Sequence, residues 1–404
     1  MMVFNSARNR EYGNAASVPV GVRPIVSLTR RLAKLFDPQE ALPPLLKKLT
    51  GLGFLFLTMN SSCRSSCGLA FSIATRQKGT NLMTQPLNWG ILGTGMIARK
   101  FAAELKDTSS GTLVASGSRR QETADAFAVE HGGRGVTGYA ALLDDPEVDA
   151  VYNSLPNGLH AEWSIKAMEA GKHVLCEKPM ACNAAEAESM FDAAERTGQL
   201  LVEAFMYRTL PAVKTLIEMV QGGALGQVKL IRSNFSFARE ALVSDARYQA
   251  SQAGGGLMDV GCYCVNLTRA VMASEPTDTA CFAHLHEHGV DDYAAGVMRF
   301  GDNTLATFTC GMTVANNWTT YIAGDDGEIA INDPWLGDGT FILNKDGKTQ
   351  TVGAKTDTPV YALEAEAFAE AVAGATPWIT REDTLGNMRV LDKLREQAGV
   401  PVPD

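Results

Sequence analysis

The chain has no Cys-x-x-Cys pair among its eight cysteines, only six histidines, and no apolar run long enough to cross a bilayer. Cysteines at 63, 67, 176, 182, 262, 264, 281 and 310 follow no regular spacing, which suits reduced thiols in a cytoplasmic protein rather than a disulfide framework or a zinc cluster. His284, His286 and His288 alternate and on a strand would share a face, but no acidic or Cys partner is in register with them. The expectation is a partly exposed sheet face and no metal. Residues 1–82 lack tryptophan and hold three acidic residues against eleven Lys and Arg, whereas residues 83–404 lack any basic surplus, so the net charge of −9 divides into about +8 and about −17. An acidic body has no surface for a phosphate backbone, which excludes nucleic acid as the expected partner. The apolar run 51–59 is about half the ~20 residues a spanning helix needs and lies too deep for a secretory signal, so no membrane partner is expected.

Residues 1–82 show no sustained apolar periodicity and are interrupted by Pro43-Pro44, Gly51 and Gly53. They are expected to be a disordered or non-native N-terminal extension. One reading is that translation begins at Met83, where an ordered pattern starts with Met83-Thr84-Gln85-Pro86-Leu87-Asn88-Trp89-Gly90-Ile91. The alternatives are an Arg-rich organelle transit peptide and a solvated tail.

From Leu87 onward short β-type runs alternate with helical stretches: strands at 89–92, 112–116, 150–153, 173–176 and 200–202, with helices between them, notably 159–170 and 183–198. Such alternation predicts a parallel sheet covered on both faces. Gly93-Thr94-Gly95-Met96-Ile97-Ala98 interrupts the first strand–helix junction. Gly93 suits the tight turn, Gly95 lets backbone approach a pyrophosphate, and Ala98 permits close packing, while the helix N-terminus offers N–H groups to the anion. This predicts a dinucleotide cofactor. At the end of the second strand, where NAD enzymes present a carboxylate to the ribose, stand Gly117-Ser118-Arg119-Arg120. A hydroxyl and a guanidinium suit a 2′-phosphate, so Ser118 and Arg119 favour NADP over NAD.

Cys176-Glu177-Lys178-Pro179 follows the strand 173–176 at the C-terminal end, where ligands of open α/β sheets bind. With it the ensemble resembles the glucose-fructose oxidoreductase, inositol dehydrogenase and rhizopine-catabolism (Gfo/Idh/MocA) oxidoreductases. The motifs that carry the resemblance are the glycine turn, Leu155-Pro156-Asn157 with His160, Gly171 to Pro179, Glu203-Ala204-Phe205-Met206-Tyr207-Arg208, and Gly254-Gly255-Gly256-Leu257-Met258-Asp259-Val260-Gly261-Cys262-Tyr263. It implies an α/β protein. A Rossmann dinucleotide-binding domain over 83–206 precedes an α+β domain over 207–404, with an open, predominantly antiparallel sheet and C-terminal helices packing back. The second half reads accordingly, with strand-like runs at 228–237, 293–300, 304–314 and 318–323 and helices at 361–373 and 381–397. The resemblance further assigns Leu155, Pro156, Asn157, His160, Glu177 and Lys178 to the cofactor, beside Gly93, Thr94, Gly95, Met96 and Ile97.

In the helix after the triple glycine, Leu257, Val260, Cys264, Leu267 and Val271 form one apolar stripe, and Asp259 and Tyr263 lie i and i+4 on another face. By resemblance that pair faces nicotinamide and substrate. Asp with Tyr, rather than Asp with His, is similar to glucose-fructose oxidoreductase, dihydrodiol dehydrogenase and xylose dehydrogenase-like members. The expected reaction is hydride transfer between the cofactor and a carbinol of a sugar or cyclic polyol. Tyr263 is expected to accept the proton, Lys178 to lower its pKa and Asp259 to orient the pair; the competing assignment makes Lys178 the proton carrier. Arg239, Arg247 and Tyr248 are candidates for the substrate wall. A non-catalytic NADP-binding sensor and an NAD-dependent glycosidase are the alternative functions. A homo-oligomer formed through the exposed sheet face is expected.

Overall fold

The computed structural model describes residues 85–241, 244–337 and 339–402. The expectations for residues 1–82 therefore lie outside the described residues. Strand β1 (Leu87–Leu92) enters the interior at once, with Trp89, Ile91 and Leu92 wholly buried. Five further parallel strands, β2 (Gly111–Ser118), β3 (Arg134–Thr137), β4 (Ala150–Asn153), β5 (His173–Cys176) and β6 (Leu201–Glu203), assemble in the order β3-β2-β1-β4-β5-β6. This is the doubly wound dinucleotide-binding order, whose strand reversal beside β1 opens a crevice at the C-terminal strand ends.

The second sheet has eight strands in the order β14-β13-β12-β11-β7-β10-β9-β8. Its members are β7 (Val228–Ala238), β8 (Asp278–Leu285), β9 (Asp291–Phe300), β10 (Thr304–Gly311), β11 (Thr313–Gly324), β12 (Gly327–Asn332), β13 (Thr340–Lys345) and β14 (Lys348–Gly353). All pairings are antiparallel except β7 with β10. The expected strand 304–314 is in fact two: β10 stops at Gly311, and the Met312 N–H turns to the Asp292 carbonyl at 2.8 Å before β11 begins. Hydropathy runs unbroken through the bend, so the sequence pattern does not reveal it.

The helix Cys262–Met272 departs from a one-sided stripe. All five stripe residues are buried, and so are Tyr263, Asn266, Thr268 and Arg269. The helix is sandwiched between β7 and β10 on one side and the helices Pro211–Gln221 and Arg381–Ala398 on the other, so its polar side chains find internal partners. Arg269, for example, donates to Glu275 and to the Asp383 carbonyl at 2.8 Å. The C-terminal helix Val360–Val372 returns to the first sheet and seats Phe368 on Trp89, with ring centroids 5.2 Å apart.

Candidate active site

A cleft of about 960 Å³ opens at the C-terminal ends of β1, β2, β4 and β5 and gathers all the candidate catalytic and cofactor-binding residues, though not every residue considered for the substrate wall. At one end lies the glycine turn. Gly93 has φ +95°, a left-handed conformation that favours glycine, and a Cβ there would come within 3.1 Å of Ser154 Oγ. Gly95 precedes the helix Met96–Glu104, whose N-terminus has no side-chain cap and no acidic residue in its first turn; a Cβ on Gly95 would project into open space. Free N–H groups facing a cleft, with no Cβ in the way, fit a nucleotide pyrophosphate. Thr94, Met96 and Ile97 line the same end, and beyond them Ser118, Arg119, Arg120 and Thr123 line the margin at the end of β2. Arg119 and Arg120 are exposed and have no carboxylate partner among the described residues.

Lys178 occupies the centre of the cleft, just past β5, before a cis peptide to Pro179. Its ammonium donates to the Asp259 carbonyl at 2.8 Å and to Asp259 Oδ1 at 3.2 Å. An ammonium has three donors, so one is left for the cleft. Asp259 Oδ2 accepts from Arg247 Nε at 2.9 Å, and Arg247 also pairs with Asp245. Burial pulls the lysine pKa down, but Asp259, Cys262 and Glu177 together outweigh it, holding Lys178 above its ordinary value; Lys178 and Arg247 likewise outweigh burial and hold Asp259 below its own. Lys178 therefore rests as the ammonium. Glu177 behind it accepts from Tyr152 OH, and burial pushes its pKa up.

Tyr263 reaches the cleft in a different posture from the one its spacing predicts. Asp259 lies in a π-turn, Leu257–Gly261, which widens the helix before Cys262. The Lys178 ammonium consequently sits 5.0 Å from the centre of the Tyr263 ring, over its face, while the hydroxyl meets Met206 Sδ at 3.4 Å. Phe205, Tyr207, Phe235 and Trp335 pack around the ring at centroid distances of 5.2 to 5.6 Å. Burial raises the phenol pKa well above its ordinary value, and the nearby groups that contribute, Tyr361, Glu177, Cys262 and Asp259, raise it further.

Leu155, Pro156 and Asn157 form the wall after β4, and Asn157 Nδ2 crosses to the Ala253 carbonyl at 3.0 Å, tying that wall to the triple-glycine segment. His160 borders the cleft but is wholly buried. Its ring nitrogens face the carbonyls of Pro179 at 3.0 Å and Leu155 at 2.7 Å, and burial lowers its pKa to about 4, so the neutral ring, with a single N–H, donates to one of these two carbonyls and is held in the interior rather than offered to the cleft. Arg239 and Arg247 line the cleft, whereas Tyr248 does not. Glu203 and Arg208 belong to the interior: Arg208 binds Asn266 and Asp383, and Glu203 accepts from the Met180 N–H at 2.8 Å. Tyr361, delivered by the C-terminal helix, completes the wall and was missed because it sits in an amphipathic helix with no local signature.

Of the three alternating histidines only His284 lies on β8, and it does have an acidic partner: its Nδ1 is 2.7 Å from Asp292 Oδ1. His286 and His288 fall in the following turn, and with Glu287 their ligand atoms lie within 4.8 Å of one another. The bend after Leu285 ends the alternation that a continuous strand would require.

Residues 87–205 match the family described as "Oxidoreductase family, NAD-binding Rossmann fold", and residues 213–330 match the Gfo/Idh/MocA C-terminal domain. A D-xylose 1-dehydrogenase (NADP(+)) from Haloferax volcanii is 36% identical over 316 residues, covering 77% of this chain and 97% of the relative. Mouse trans-1,2-dihydrobenzene-1,2-diol dehydrogenase is 32% identical over 253 residues, covering 62% and 75%. Among solved structures, a 3-ketoreductase from Actinomadura kijaniata in complex with NADP superposes with a TM-score of 0.72 at 28% identity, covering 78% of this chain and 98% of that one. The glycine turn, the Glu-Lys-Pro lysine and the triple-glycine helix thus stand in a chain that, over both domains, belongs to the Gfo/Idh/MocA family of oxidoreductases.

Proposed function

We propose that the protein is an NADP-dependent oxidoreductase that moves a hydride between the nicotinamide and a carbinol carbon of a sugar or cyclic polyol, with Lys178 as the proton carrier. One observation carries this reading: the Lys178 ammonium lines the cleft that begins at the glycine turn, fixed by two bonds to Asp259 and with no acceptor among the described residues for its third N–H. A nicotinamide bound along that cleft supplies or accepts the hydride. The chain's own residues align the substrate and handle the proton. In reduction Lys178 hydrogen-bonds the carbonyl oxygen and gives up its proton; in oxidation the neutral amine takes the hydroxyl proton. Asp259 orients the ammonium and stabilises its charge, Arg247 holds Asp259, and Tyr263 forms an apolar wall that seats Lys178 by a cation–π contact.

Ser118 and the guanidiniums at the end of β2, unpaired among the described residues, support NADP over NAD, since no described carboxylate lines that margin to repel a 2′-phosphate. The named relatives, a xylose and a dihydrodiol dehydrogenase, support a cyclic polyhydroxylated substrate. The six described cysteines are buried and unpaired, which supports a reducing, cytoplasmic setting, and no described helix is long and apolar enough to cross a membrane.

The deciding experiment follows 340 nm absorbance with NADP or NAD across aldoses, inositols and cyclic diols for the wild type, Lys178→Ala and Tyr263→Phe. Wild type should form NADPH with at least one of them. Lys178→Ala should lose about three orders of magnitude in kcat, with NADPH affinity within a few-fold. Tyr263→Phe should keep a tenth or more of the activity. A thousandfold loss in Tyr263→Phe with Lys178→Ala still active would return the proton to the tyrosine. Arg119→Ala should weaken NADPH about 10- to 100-fold, the scale of one charge-assisted contact, and leave NADH unchanged.

A further inference from the structure

Asp291, the first residue of β9, is wholly buried and does not line the cleft, yet it touches the segment that places Asp259. Its Oδ2 accepts the Leu257 N–H at 2.6 Å, at the first residue of the π-turn that carries Asp259. Its Oδ1 lies where a Cβ on Gly255 would approach to 2.1 Å, and Gly255 has φ +117°, so steric space and backbone conformation both demand glycine there. The Gly255 carbonyl in turn accepts the Asp259 N–H at 2.9 Å. A continuous chain of contacts therefore runs from Asp291 through Gly255 and Leu257 to Asp259 and on to Lys178.

We propose that Asp291 is a positioning residue: a strand-borne carboxylate that replaces the missing cap of the Asp259-bearing turn and so sets where Asp259 holds Lys178. This rests on the assignment of Lys178 and Asp259 above. The first N–H groups of a helical segment lack internal partners, and Gly256, at the cap position, has no side chain to offer. A serine or asparagine would meet one N–H at lower cost than a buried carboxylate whose Oδ1 finds no partner among the described residues. An anion does more, because it also interacts favourably with the positive end of the helix.

The groups around Asp291 are Asp292 beside it, Arg395 from the helix Arg381–Ala398, and the thiols Cys281 of β8 and Cys310 of β10. Burial pushes the Asp291 pKa up to about 7, so its ionisation falls where the enzyme would work. The ionised form is the better anchor, so wild-type kcat for reduction, in which Lys178 is already the ammonium, should rise as pH increases through about 7.

Asp291→Ala and Asp291→Asn test this, with kcat, KM, NADPH binding by fluorescence, and amide exchange over 257–263. Asp291→Ala should lower kcat about 10- to 100-fold, leave NADPH affinity within twofold and accelerate exchange in the turn. Asp291→Asn keeps an acceptor, so it should recover to within about threefold of wild type at pH 6, but without the rise near pH 7. A folded Asp291→Ala protein with wild-type kcat and exchange overturns the proposal, as does a neutral-pH rise that persists in Asp291→Asn. Should the alanine variant fail to fold, the asparagine profile decides alone. Amide exchange needs no turnover: if the wild type reduces no sugar but the turn still loosens in Asp291→Ala, the proposed reaction has failed and the anchoring role has not.

Discussion

Lys178 is held by Asp259 through both a backbone and a side-chain oxygen, and the two groups set each other's charge. Because Lys178 sits above its ordinary pKa, the neutral amine needed for oxidation is scarce at neutral pH. Oxidation with NADP should therefore speed up with pH into the alkaline range, while reduction, above the step near pH 7 that Asp291 sets, holds steady and falls only in that range. Asp259→Asn removes the main influence raising Lys178 and should move both limbs to lower pH; pH–rate profiles that superpose on wild type would contradict this. Glu203 gives a stability prediction of opposite origin. Burial raises its pKa to about 8, so the folded protein keeps a proton that the unfolded chain releases above about pH 4. Its contribution to stability is greatest below pH 4, declines as pH rises through that window and levels off above about 8. Glu203→Gln should therefore gain denaturation midpoint relative to wild type at pH 8 and not at pH 5.

At the scale of elements, the motifs whose character lies in the backbone were the most legible. Gly93 and Gly95 act through a positive φ and an absent Cβ, properties that residue type alone specifies. The orientation of Tyr263 was not legible, because an i, i+4 pair implies one face only if the helix is regular, and the π-turn at Leu257–Gly261 interrupts that regularity, its first N–H bonded to Asp291, 34 residues along the chain. Tyr361 was hidden for a related reason: the helix Val360–Val372 announces its apolar face but not the sheet on which it lands. That landing has a measurable strength. Phe368 is wholly buried against Trp89, and Phe368→Ala should cost about 3–5 kcal/mol, read as a lower urea midpoint, because the site loses both apolar burial and packing. A loss under about 1 kcal/mol would mean that the helix is not seated there.

At the scale of the whole molecule, the eight-stranded sheet packs its helices on one face and leaves Leu230, Phe282, Val297 and Leu305 exposed on the other, Phe282 at 83%. An apolar sheet face of this kind fits a second copy of the chain. Light scattering should find a homo-oligomer that Phe282→Glu dissociates, and a monomeric wild type would refute it. The sequence by itself determined the parallel sheet and the place of the glycine turn and of Lys178 at strand ends, because alternation, glycine spacing and strand-end position are local properties; the resemblance to a family singled Lys178 out among them. Only the tertiary structure decided that Lys178 meets the ring of Tyr263 rather than its hydroxyl, that the His160 ring is buried against backbone carbonyls and that Asp291 bonds the turn carrying Asp259. Those facts depend on contacts between segments far apart in the chain, where burial and neighbouring charge set what each side chain can do.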